Sequence, residues 1–169
     1  MIDYDFSWDK LGDVSVGRPN LGMTTTVEAY RLMQYTMKEV LNRNFGQEET
    51  TRILIEAGRL SGVEFCKHYL DISLPLNMFV AQIHKKLLEL SIGILKVEEL
   101  DSKTMSLIVT MSEDLDCSGL PVTGFTVCEY DEGFLEGIFE NYSGKDFFVK
   151  EIDCWSTGDR TCRFSIRTK

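Results

Sequence analysis

Apolar side chains recur at helical spacing three times in the first half of the chain. After possible caps at Thr24–Thr26, Leu32, Tyr35, Thr36, Glu39 and Val40 run on from Val27, and Met33, Met37 and Leu41 repeat every four residues. The spacing predicts a helix to about Asn44, stopped near Gly46. A second helix is predicted from about Gln47 to Leu70, carrying Ile53, Leu54, Ala57, Leu60, Phe65 and Tyr69. Gly58 and Gly62 lie four apart on it, a spacing that lets another helix approach closely. A third helix is predicted from Pro75, through NMFVAQIHKKLLELS, to near Gly93.

The period then changes. ILKVEELD and TMSLIVTM are short, β-branched and roughly alternating, and predict two antiparallel strands. Ser112–Gly119 is polar and turn-like. From Leu120 to about Tyr142 the pattern predicts a helix with Val122, Phe125, Val127, Phe134, Leu135, Ile138 and Phe139. KDFFVKEIDCW and TCRFSIRT predict two further strands joined by Ser156–Arg160. Helices, two strands, a helix and two strands predict an α+β domain: an antiparallel four-stranded sheet covered by helices. Residues 1–23 form an arm broken by Gly12, Gly17, Pro19 and Gly22. Its Phe6, Trp8, Leu11, Val14 and Val16 need cover, from the domain at 24–169 or from a second copy in a dimer.

Composition narrows the function classes. At 169 residues the chain is long enough for a sizeable core without disulfides. A net charge of −9 argues against a nucleic-acid surface, which needs an excess of Lys and Arg. No run of about 18 apolar residues predicts a membrane span. The acidic start, MIDYDFSWDK, does not read as a signal peptide, so a cytoplasmic protein is expected. Five cysteines in that compartment are free, catalytic or metal-bound rather than paired.

The segment KEIDCWSTGDRTCRF concentrates the candidate chemistry. Glu151, Cys154 and Cys162 supply three donors of the kinds zinc takes. Positions three apart on a regular strand face opposite sides, so Glu151 and Cys154 converge only if the strand ends, twists or bulges near Asp153. Cys128, on the preceding helix, is the fourth candidate. Cys117 is its rival, in an acidic loop. Cys66 reads as a small core residue, and His68 and His84 as packing or surface residues. Spacing alone leaves three readings open: a metal site, buried structural thiols, or a disulfide or redox pair.

From Gly124 to Ile166 the chain resembles the 4-vinyl reductase domain family. The shared elements are Cys128, the helix with Gly133 and Gly137, the Ser143-Gly144 turn, Glu151 with Cys154, Gly158-Asp159, and Cys162 with Phe164. The resemblance implies a fold similar to the small TRAPP subunits and to the dimeric sensory domain of phenol-responsive activators. It implies a zinc ion held by Cys128, Glu151, Cys154 and Cys162. Four such donors leave no open position, so the site is expected to be structural. The chain departs from those sensors in lacking a Trp just before Cys128.

The expected function is a stand-alone module that binds or senses a small hydrophobic or aromatic molecule. It is expected to be a homodimer with a separate signalling partner. Candidate pocket residues are Phe79, Ile83, Leu87, Phe125, Phe134, Ile138 and Trp155, with His84 and Tyr130 for polar contact. The family name also suggests an enzyme or accessory of tetrapyrrole metabolism, but no Gly-rich nucleotide motif or catalytic dyad supports one. A structural interaction subunit is the third reading.

Overall fold

The computed structural model describes residues 6–169. Met1–Asp5 of the predicted arm lie outside the described residues. The chain forms two compact units, Met1–Thr50 and Thr51–Lys169.

In the first unit a 3₁₀ turn at Trp8–Leu11 is followed by α1 (Val14–Gly17) and α2 (Val27–Phe45). Asp13 caps α1 by accepting from Val16 N at 3.1 Å, and Thr26 caps α2 by accepting from Ala29 N at 3.3 Å. Gly46, at φ 80°, ends α2 as the sequence predicts. None of the 19 residues of α2 is buried.

The second unit holds the core. α3 (Gln47–Tyr69) enters it from the first unit, and α4 (Leu76–Glu89) follows behind Pro75. Then come β1 (Ile94–Asp101), β2 (Ser106–Ser112), α5 (Glu129–Ser143), β3 (Phe147–Asp153), a 3₁₀ turn (Trp155–Thr157) and β4 (Cys162–Thr168). The four strands are antiparallel in the order β1-β2-β4-β3. Alternate residues bury one face: Leu107, Val109 and Met111 on β2, Cys162, Phe164 and Ile166 on β4, Phe147, Val149 and Glu151 on β3.

One predicted helix is shorter than its pattern. Residues 120–128 are not helical, and α5 begins at Glu129 rather than near Leu120. Pro121 and a left-handed Gly124 (φ 82°) interrupt the segment. Its polar groups find partners on the 3₁₀ turn before β4 instead. Thr123 N and Gly124 N donate to Ser156 O at 2.8 and 2.9 Å, and Trp155 Nε1 donates to Leu120 O at 3.0 Å.

Two devices seat α5. The first is glycine against glycine. A Cβ on Gly58 or Gly62 of α3 would collide with the carbonyls of Tyr130 and Phe134, and one on Gly133 or Gly137 of α5 with those of Ile55 and Arg59. Both pairs therefore let the two backbones touch, as the four-residue spacing predicts.

The second is a ladder of carboxylates. β3 is an edge strand, so alternate N–H groups lack a strand partner. Phe147 N donates to Glu140 Oε1 at 3.5 Å, Val149 N to Glu136 Oε1 at 3.3 Å, and Glu151 N to Glu132 Oε1 at 2.9 Å. Steps of four on the helix match steps of two on the strand. Four helical residues rise about 6 Å, and two strand residues rise about 6.6–6.8 Å. One further step along the helix reaches Cys128, whose N donates to Glu151 Oε2 at 3.2 Å. The ladder thus sets the register that carries Cys128 to the end of β3.

Candidate metal centre

The sulfurs of Cys117, Cys128, Cys154 and Cys162 all lie within 4.8 Å of one another, and all four residues are buried. They come from four places: the loop after β2, the N-terminus of α5, the end of β3 and the start of β4. Cys128 lies 3.7 Å from Cys162 and 3.9 Å from Cys154, sulfur to sulfur; Cys117 lies 2.9 Å from Cys162. A tetrahedron of sulfurs at about 2.3 Å from a zinc ion has edges of about 3.8 Å. The donor set suits such an ion; the two Cys128 separations match that edge, and the Cys117–Cys162 separation is shorter.

Each thiol is placed by local hydrogen bonding. The irregularity demanded by the spacing of Glu151 and Cys154 lies between Glu151 and Asp153, where the register against β4 shifts. Past it, Cys154 N donates to Thr157 Oγ1 at 3.0 Å, and the Cys154 sulfur lies 3.2 Å from Ser156 Oγ. The loop carrying Cys117 is ordered and buried, unlike the solvated turn its polar composition predicts. Asp114 Oδ1 accepts from Asp116 N at 2.7 Å and from Cys117 N at 3.1 Å, and Leu115 N donates to Ile92 O at 2.9 Å. An Asp three residues before a Cys was the signal that could have promoted Cys117.

The electrostatics suit a cation. Hydrogen bonds from Cys117, then Cys128 and Cys162, hold the Cys154 thiol below its ordinary range. Sharing of protons with Cys117 and Cys154 pushes the Cys128 thiol up. The Cys162 thiol is raised in the same way, Cys117 first. Glu151, buried beside them, is raised to about 8 by burial first and then by Cys154. Asp114 is raised to about 7 by burial and by Asp116. A divalent ion would favour every charged form, drawing the raised groups down and lowering Cys154 further.

The other residues singled out in the sequence are spread through the second unit. Phe79, Ile83 and Leu87 on α4 and Ile138 on α5 are fully buried core residues; Phe134 is 7% exposed. The Phe79 ring stacks on Tyr142 at 4.0 Å between centroids, which joins α4 to α5 through aromatic side chains. His84 Nδ1 donates to Leu95 O at 2.6 Å, next to β1 and away from the thiols. Tyr130 and Trp155 are half-buried, and Phe125 is 74% exposed. Cys66 is a buried core thiol outside the cluster, raised by that burial. No helix among the described residues is long and apolar enough to cross a membrane.

Residues 107–168 match the 4-vinyl reductase domain. The matched stretch runs from β2 to β4 and takes in all four clustered cysteines and Glu151. Two uncharacterised proteins of Methanocaldococcus jannaschii are similar in sequence. One is 40% identical over 31% of this chain and 33% of its own length; the other is 30% identical over 68% of this chain and 63% of its own length. The chain therefore spans less than two thirds of either relative. Three solved structures share the fold. The phenol-bound sensory domain of the transcription activator PoxR has a TM-score of 0.65 and 15% identity, covering 86% of this chain and 76% of that one. A vinyl-4-reductase family protein from Methanocaldococcus jannaschii has a TM-score of 0.63 and 16% identity over 98% of both chains. A trafficking protein particle complex subunit 3 from Naegleria fowleri, covalently bound to palmitic acid, has a TM-score of 0.64 and 10% identity, covering 85% and 95%.

Proposed function

We propose that the chain is a module that binds a small apolar or aromatic molecule and is clamped by a structural zinc ion. The observation that carries this reading is the convergence of four buried thiols from four segments. Zinc on Cys117, Cys128, Cys154 and Cys162 would tie the loop after β2, the start of α5 and the β3–β4 connection together. All four positions around the ion would be filled by protein, which suits a structural role. Glu151, a zinc donor in the family-based expectation, takes the Cys128 N–H through its Oε2.

Two neighbours of the same fold hold apolar molecules, phenol in one and palmitic acid in the other. The layer proposed to take such a molecule here lies between α4, α5 and the sheet. Phe79, Ile83, Leu87, Phe134 and Ile138 would line it, Trp155 and Phe125 would close one end, and His84 and Tyr130 would supply polar contact. The module works as a homodimer in the cytoplasm and passes its signal to a separate partner. The exposed apolar side chains of α2 support the dimer, and the unpaired cysteines support a reducing compartment.

Thermal melting of the metal-loaded chain with phenol and with palmitate tests the ligand reading. A rise in Tm that grows with probe concentration is expected from at least one of them; none from either overturns it. Cobalt loading tests the clamp. Cys117→Ser is expected to weaken the sulfur-to-cobalt charge-transfer band more than Glu151→Gln. The reverse order would restore Glu151 as the fourth donor.

A further inference from the structure

We infer a second cation site beside the thiol centre, formed by Asp114, Asp131 and the sulfur of Cys128. It would take a borderline divalent ion with the rest of its coordination left to water. The inference rests on the reading of the four thiols as a metal centre, because Cys128 belongs to both groups. One donor atom from each of Asp114, Cys128 and Asp131 lies within 4.8 Å of the other two, and all three residues are buried.

A buried oxygen of the site points to a missing positive partner. Asp131 is 8% exposed, and its buried Oδ2 has no hydrogen-bond partner. A buried carboxylate oxygen without a donor carries the full cost of its desolvation. The α5 N-terminus offsets part of that cost for Asp131, but the same turn also carries Glu129 and Glu132. Four thiolates around one divalent ion leave a formal charge of −2, so the thiol centre adds to the negative field. A second divalent ion would supply the partner that Asp131 Oδ2 lacks.

The donor set limits its identity. Two carboxylates and a bridging thiolate suit zinc or iron(II). They are too few oxygens for a calcium site.

The test uses the full chain purified without chelators, loaded with excess zinc and dialysed against metal-free buffer. Two zinc ions per chain are expected in the parent, and one in Asp131→Asn and in Asp114→Asn. Cadmium NMR of the parent, which needs no variant, should show two resonances. One would come from a site of four sulfurs and one, well upfield, from a site dominated by oxygen. One ion and one sulfur-type resonance would overturn the second site and leave the clamp standing. No bound metal would overturn both. A second ion that persists in Asp131→Asn would place it elsewhere and overturn this assignment.

Discussion

α2 and α5 reverse the usual relation between polarity and burial. α2 carries Leu32, Met33, Met37 and Val40, each more than half exposed, and buries nothing. α5 carries Glu129, Asp131, Glu132, Glu136 and Glu140, yet ten of its 15 residues are buried, four of those acids among them. The difference lies in what each element meets. α5 has three specific partners: glycines on α3, the free N–H row of β3, and the thiols at its N-terminus. Glu132 and Glu136 are buried because a strand edge supplies donors at matching intervals. α2 is stabilised by its own hydrogen bonds and caps, and its apolar residues remain available.

Removing those partners one at a time should rank them. The largest effect is expected at the metal end. If the thiols hold the proposed structural metal, Cys154→Ser or Cys162→Ser should lose it and lower stability by on the order of 5 kcal/mol, because binding at such a site contributes to folding. Cys66→Ser should keep the metal and melt far closer to the parent. Equal melting temperatures for the two kinds of variant would remove the clamp from the comparison.

The glycine contact comes next. Gly137→Ala gains about 1 kcal/mol of helix propensity but drives its Cβ into the Arg59 carbonyl. A net loss of about 2 kcal/mol in urea unfolding is expected. A stabilised variant would mean that α3 and α5 do not touch through their backbones.

The carboxylate ladder and α2 come last. Glu136→Ala strands the buried Val149 N–H, at a cost of about 1–3 kcal/mol. Met37→Gln, at concentrations where the chain is monomeric, should change stability by no more than about 0.5 kcal/mol. Chemical denaturation of both variants side by side would show whether the polar helix or the apolar one is the more deeply committed to the fold.

How much of this was legible depends on the range of the signal. The four strands, the boundary at Gly46 and the paired glycines were readable, because alternation, left-handed caps and four-residue spacings are local. The bulge before Cys154 was readable as a requirement, since two donors three apart cannot otherwise share a side. The start of α5 was misplaced because an apolar pattern continues through residues 120–128 while Pro121 and Gly124 break the backbone. The residues leave Cys117 a rival of Cys128 and the family resemblance favours Cys128; only the folded chain shows Asp114 turned inward to hold the loop's own N–H groups.

The amino-acid order by itself determined the α+β class, the element sequence and the concentration of donors near the C-terminal end. It did so because secondary-structure periods and motif spacings are written in neighbouring residues. Only the tertiary structure decided which four thiols meet and why an acidic helix is buried. Both depend on a helix and a strand, apart in the chain, whose rises per step are nearly equal, so that each carboxylate finds an N–H and the last step brings Cys128 to the others.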